Sequence, residues 1–200
     1  MQDQERFHRL ARSAAAAATA GVLLLGFSAC SITTDKQGEG SKKKNVDIQT
    51  PFGGLKVRTN VDPKDIGLPV YAGARQVPEE GHDSSSANVT LGIPGFGLKV
   101  IAAKFESDDP PDKVLEFYRK EMKTYGSVTE CKGNIDLKGD DLSSQEITCK
   151  EGSGVAMRNK VELAVGKGSS HRIVSVEPLA KGCKFALVYL QMHGGKESTM

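Results

Sequence analysis

Tryptophan is absent from this 200-residue chain, and aromatic residues make up only 6% of it. A broad aromatic platform for stacking bases or sugars is therefore missing. Charge of one sign is missing too: 27 lysines and arginines face 25 aspartates and glutamates, a formal net charge of +2. That balance lacks the basic footprint of a nucleic-acid surface. The four cysteines contain no Cys-x-x-Cys pair, so neither a zinc site nor thioredoxin-like redox chemistry finds its spacing. A helix crossing a bilayer core of about 30 Å needs about 20 apolar residues. The longest small or apolar run, SAAAAATAGVLLLGF at 13–27, has 15.

What precedes and follows that run gives it a meaning. Residues 1–12 carry Arg6, Arg9 and Arg12 against Asp3 and Glu5, a mildly basic start. A basic start and a short apolar stretch have the anatomy of a signal peptide. Ser28 and Ala29 then stand directly before Cys30. These residues resemble the bacterial lipoprotein signal, in which an apolar residue and two small ones precede an invariant cysteine. Ser28, Ala29 and Cys30 match the motif, and Phe27 stands where leucine is usual. The resemblance implies a diacylglycerol thioether on Cys30, cleavage before it, and acylation of the new amine by a palmitate-like chain. One chain anchors reversibly, whereas two or three hold firmly. Ser31 after the cysteine implies outer-membrane sorting in a Gram-negative host. An ordinary secretory signal and a short membrane anchor are the alternative readings.

Without residues 1–29, the mature chain has 171 residues with 24 basic and 23 acidic side chains, enough for one domain with a sizeable core. In an oxidising compartment its remaining cysteines can pair. Cys131 in SVTECK and Cys149 in QEITCK lie on two strand-like segments, and antiparallel pairing would set them side by side. A bridge across a loop of this size is worth roughly 3 kcal/mol in the chain-entropy view. Three free buried thiols are the alternative; with the bridge, Cys183 is the odd one, packed at a strand start.

Residues 30–45 are polar, with Gly38, Gly40 and the Lys42-Lys43-Lys44 run, and read as a flexible tether. Residues 46–61 read as a β-hairpin closed by Gly53-Gly54. That turn pairs Phe52 with Leu55, Thr50 with Val57, Ile48 with Thr59 and Val46 with Val61, and puts Pro51 on an edge. A second hairpin turns at Pro94-Gly95-Phe96-Gly97, with Ala87, Val89 and Leu91 alternating before it and Ile101, Ala103 and Phe105 after it. Asp108 and Asp109 with Pro110 and Pro111 open one helix, whose apolar stripe is Val114, Leu115, Phe117, Tyr118, Met122 and Tyr125. Glu116 and Lys120 form a favourable i,i+4 pair, and Gly126 stops the helix. Strands follow at 127–132, 145–150, 161–165, 171–177 and 184–190. The expectation is an α+β fold: a mainly antiparallel sheet with one helix packed on a face, preceded by signal peptide, tether and hairpin. One domain spans 46–193, and 194–200 form a disordered tail.

Leu68-Pro69-Val70-Tyr71-Ala72-Gly73-Ala74, followed by a strand and a helix with Val114, Phe117 and Tyr118, resembles uncharacterised bacterial lipoprotein domains. Those carry a strand reading P-x-Y-P-G-A and a helix reading V-x-x-F-Y. Ala72 replaces the usual proline here, and the pattern carries no activity.

Chemistry is sparse. His82 and Asp83 beside Ser84, Ser85 and Ser86 are consecutive residues, which cannot converge as a Ser-His-Asp triad. His171 and His193 read as strand-end and tail residues. Neither GIPGFG nor GKGSS has the spacing of a phosphate cradle. No metal site, cofactor or catalytic residue is expected. Two functions remain. One is a non-enzymatic, lipid-anchored envelope module facing the periplasm or exterior, whose open sheet or 46–61 hairpin contacts an envelope protein or the cell wall. The other is a periplasmic enzyme or small-ligand binder with a helix–sheet pocket and polar groups from 82–86.

Overall fold

Alternating apolar and polar residues make most of the described chain strand, because successive side chains of a strand point to opposite faces. The computed structural model describes residues 31–36, 44–59, 61–78, 84–139, 145–151 and 159–194. Among them are strands β1 (Ser31–Lys36), β2 (Lys44–Thr50), β3 (Gly53–Thr59), β4 (Arg75–Gln76), β5 (Ser86–Ile93) and β6 (Phe96–Ser107). Helix α1 (Pro111–Met122) follows, then β7 (Thr129–Lys138), β8 (Glu146–Glu151), β9 (Val161–Lys167), β10 (Ser170–Pro178) and β11 (Cys183–His193). They form a sheet in the order β1-β2-β3-β5-β6-β11-β10-β9-β7-β8, with β4 added to the far end of β6. Every pairing is antiparallel. The α+β class, a mainly antiparallel open sheet with one helix, is what the residue pattern predicts.

Residues opposite one another in the ladder share a face. One face carries Ile101, Ala103 and Phe105 of β6, Phe185 and Leu187 of β11, Val174 and Val176 of β10, and Leu163 and Val165 of β9, all buried. Helix α1 lies over this half, inserting Val114, Leu115, Tyr118 and Met122 at i, i+4 spacing. Phe105 stacks on Phe185 at 5.3 Å and Tyr118 tilts against Phe185 at 5.7 Å. Arg119 grips Glu130 of β7 with two hydrogen bonds of 2.7 and 2.9 Å. The Tyr118 hydroxyl accepts from the Tyr71 N–H and donates to the Pro69 carbonyl, each at 3.2 Å. The Leu68-to-Ala74 motif is thus stitched to the helix by one phenol. Tyr71 in turn donates to Asp109 at 2.9 Å, and Asp109 holds Lys113 at 3.0 Å. The expected Glu116–Lys120 pair does not figure among the ion pairs of the described residues; Lys113 pairs back across the first turn instead. A 3-10 turn, Lys123–Tyr125, carries α1 on to Gly126.

Two local expectations need correction. The first hairpin turns at Pro51-Phe52, not Gly53-Gly54: Thr50 faces Gly53, Ile48 faces Leu55 and Val46 faces Val57. Proline pre-sets the φ of the first central turn position. The Thr50 hydroxyl closes the turn, donating to the Gly53 carbonyl at 2.9 Å and accepting from the Phe52 N–H at 3.3 Å. Gly53, at φ +144, lets the next strand close in, since a Cβ there would meet the Gly92 carbonyl oxygen at 2.2 Å. The partners of each residue move by four positions, an even number, so Val46, Ile48, Leu55 and Val57 keep their common face. Second, Ser31–Lys36, expected as tether, is strand β1 paired with β2 from Ser31↔Gln49 to Lys36↔Lys44. Ala87, Val89 and Leu91 share one face, as expected; they lie opposite Ala102, Val100 and Leu98, and so on the face away from α1. Residues 1–30, the 37–43 part of the tether and 195–200 lie outside the described residues.

Replacing Tyr118 by Phe keeps the ring but strands the Tyr71 amide and the Pro69 carbonyl. We expect Tyr118→Phe to cost about 1–3 kcal/mol, seen as a lower urea midpoint with an unchanged m value.

Candidate functional site

Cys30 lies outside the described residues, and the sequence alone speaks for it. Cys131 and Cys149 stand at disulfide distance, with their Cα atoms 5.4 Å apart. They are not opposite one another, since Cys149 faces Ile135 in the ladder. A bend in β7 brings them together: Thr129–Lys132 pair with β9, whereas Gly133–Lys138 pair with β8. Gly133, at φ +124, sits at the change of partner. Buried Glu162 fixes the bend by accepting from the Ile135 N–H at 2.6 Å and from Lys160 at 2.7 Å. Lys160 also reaches Asn134 at 3.3 Å. Spacing alone offered no signal for Glu162, because a carboxylate in an apolar strand usually faces water.

Cys183 is free and buried. Burial, helped by Asp109, pushes its thiol pKa up, which makes it a poor nucleophile at neutral pH. Of the histidines, His82 lies outside the described residues and His193 is exposed at the end of β11. His171 is 0% exposed, and neither ring nitrogen makes a hydrogen bond of ordinary geometry. Burial lowers its pKa below 6.5, and the Gly168 backbone offsets only part of that shift. Asp83 is outside the described residues, while Ser86 is buried and donates to the Val61 carbonyl at 3.1 Å. Ser84, Ser85 and Ser86 line a hollow of about 220 Å³ with Ala102 and Lys104.

The expected helix–sheet pocket is occupied instead by Tyr118, Phe185, Met122 and Leu187, each at most 1% exposed. Among the described residues, no three His, Cys, Asp or Glu side chains gather where they could hold a metal ion. One cationic cluster escaped sequence reasoning. The Arg172 guanidinium lies 3.7 Å from the Tyr125 ring centre and 5.1 Å from that of Tyr189. Tyr125 donates to the Gly67 carbonyl, closing the cluster against the loop before the motif. Cation–π contact of this kind is worth about 0.5–2 kcal/mol. These polar groups hold loops, bend and helix in place, and none pairs a nucleophile with a base.

The larger feature is the face away from α1. Val46 and Ile48 of β2, Leu55 and Val57 of β3, Val89 and Leu91 of β5, Leu98 and Val100 of β6, and Val188 and Leu190 of β11 occupy matched positions across five strands. All ten are half-buried. The opposite face of the same strands carries Lys56, Arg58, Asn88, Thr90 and Lys99. With Asp47 of β2 paired to Lys56, the β2–β3–β5 part of the sheet is apolar on one side and polar on the other.

Two measurements test the chemistry of this half. Thiol counting on denatured, unreduced protein should find Cys183 reactive and neither Cys131 nor Cys149; a bridge involving Cys183 would refute the pairing. The unfolded His171 takes up a proton near pH 6.5 that the folded ring resists. Stability should therefore be full above about pH 7 and fall as pH drops through about 6.5. His171→Leu should flatten that slope in urea titrations, and an unchanged difference between the two proteins across pH would sink the assignment. Compared with protein-family models, curated proteins and solved structures, the chain gives no match.

Proposed function

We propose that this protein is a lipid-anchored component of the cell envelope that works as a non-enzymatic interaction module. In this reading acyl chains on Cys30 hold it in the membrane, and its sheet meets an envelope protein or a cell-wall component on the periplasmic or exterior side. The observation that carries the reading is the apolar face of β2, β3, β5, β6 and β11, which α1 does not cover. Contiguous apolar surface of this extent marks a contact site more often than idle exterior. The Ser28-Ala29-Cys30 motif supports the anchor, and a cysteine pair at disulfide distance suits an oxidising compartment. No helix among the described residues is long and apolar enough to cross a membrane. The hollow beside Ser84, Ser85 and Ser86 supports the second reading, a small-ligand binder or enzyme.

Intact mass of the protein extracted from membranes tests the anchor. The expected product begins at Cys30 and carries acyl mass; a product without acyl mass, or one still beginning at Met1, overturns the reading. Crosslinking in cells should then capture an envelope partner through the β2–β3–β5 face. Turnover by the delipidated protein on a hydrolase panel, abolished by Ser86→Ala, would replace the module with the second reading.

A further inference from the structure

The strand directions bring several features to one end of the sheet. β1 begins there, with Ser31 opposite Gln49. The β2–β3 turn at Pro51-Phe52 lies at the same end, because Thr50 faces Gly53. So does the β5–β6 turn at Pro94-Gly95, because Gly54 faces Gly92 and Ile93 faces Phe96. The two turns touch: a Cβ on Gly53 would lie 2.8 Å from a methyl of Ile93. The end of β11 joins them, with His193 opposite Gly97.

This end carries the most exposed large apolar side chains of the described residues. Phe52 is 78% exposed and Ile93 48%, whereas Leu179, on the β10–β11 turn at the other end, is 42%. Beside them an open hollow of about 790 Å³ is lined by Leu91, Ile93, Phe96 and Leu98, among others. Charge at this end is mainly positive. Lys56 and Lys99 lie within a few residues of these two turns, Lys167 stands in the same row farther across the sheet at the end of β9, and Asp47, paired with Lys56 at 3.4 Å, is the carboxylate beside them. Exposed apolar tips beside a row of lysines suit the boundary between acyl chains and anionic headgroups.

Ser31 is also one peptide bond from Cys30. Since 31–36 are strand, no slack separates an acyl-bearing Cys30 from the sheet. β1 and β5 are three strand spacings apart, about 14 Å, so an anchor at the start of β1 would deliver both turns to the same patch of membrane.

We propose that the β2–β3 and β5–β6 turns form a membrane-contact tip, with Phe52 and Ile93 entering the bilayer interface beside the acylated Cys30 and Lys56, Lys99 and Lys167 meeting anionic headgroups. The proposal rests on the anchored reading and adds to it an orientation: the sheet stands with this end on the membrane and the β10–β11 turn away from it.

The absence of tryptophan makes the test direct, because any indole introduced is the sole one in the chain. Phe52→Trp, Ile93→Trp and Leu179→Trp would each be purified in the acylated form and reconstituted into vesicles of phosphatidylglycerol and phosphatidylethanolamine with brominated acyl chains. The first two should show blue-shifted emission and strong loss to the bromolipid, and the Leu179→Trp protein neither. Should Ile93→Trp lower the urea midpoint, Phe52→Trp decides alone, since that side chain is mostly in solvent. Acylated protein whose tip indoles are not quenched, or are quenched no more than that of Leu179→Trp, overturns the membrane tip and leaves the anchor standing. Protein lacking acyl mass overturns the anchor, and the orientation falls with it.

Discussion

A twelve-residue helix is about 18 Å long, and strands in a sheet lie about 4.8 Å apart. One such helix can cover three or four strands on one side. Here it is the single α-helix among the described residues and is set against eleven strands. That mismatch dictates the rest of the architecture. Under α1 the strands bury their side chains fully on the covered face. Beyond it, β2, β3 and β5 reverse their polarity, turning polar and charged side chains to the helix side and aliphatic side chains to the other. β6 and β11 carry both patterns, buried on one face and half-buried on the other, and so join the two halves.

The class of this fold is legible because period two and period 3.6 differ plainly in the sequence. Val114, Leu115, Tyr118 and Met122 sit at helical spacing and occupy the helix–sheet interface. Face assignment in the first hairpin also survives a misplaced turn, because the displacement is even and parity is what sends a side chain in or out. The turn itself was misread because Gly-Gly competes with Thr-Pro-Phe-Gly. Pro51 and the Thr50 hydroxyl favour the second, and the reach of Gly53 toward Gly92 comes from a strand distant in sequence. Residues 31–36 escaped for a different reason. SITTDK is polar, and its strand character is supplied by pairing with β2 rather than by its own pattern.

The groups that look most like chemistry in the structure are those the sequence could not reveal, and they serve architecture. Glu162 and Lys160 are drawn inward to satisfy the backbone where β7 changes partner. Removing one member of such a pair leaves a poorly solvated charge, which is why they work as a unit. Tyr118, Tyr71 and Asp109 do the same for the loop ahead of β4, and Arg172 for the turn after α1. Each joins elements far apart in sequence, so spacing carries no trace of it. Cys131 and Cys149 were findable because both lie on strands joined by one connection, although the bend that brings them together was not.

The position of β1 then changes what the anchored reading requires of a partner. A flexible tether would let the domain sample any orientation and any height above the bilayer. A strand that begins at Ser31 ties height to the strand axis. β6, the longest strand, has 12 residues and at about 3.4 Å each spans about 40 Å from the turns at Pro51 and Pro94 to the start of α1. In that orientation the apolar face of β2, β3 and β5 stands upright, parallel to the membrane normal, rather than flat on the lipid, and a partner meeting it must lie within about that distance of the surface. The helix start, with Asp108 and Asp109, would be the outermost part. A partner rooted in the same membrane fits this arrangement better than one diffusing beyond it, because its height is set by the same plane.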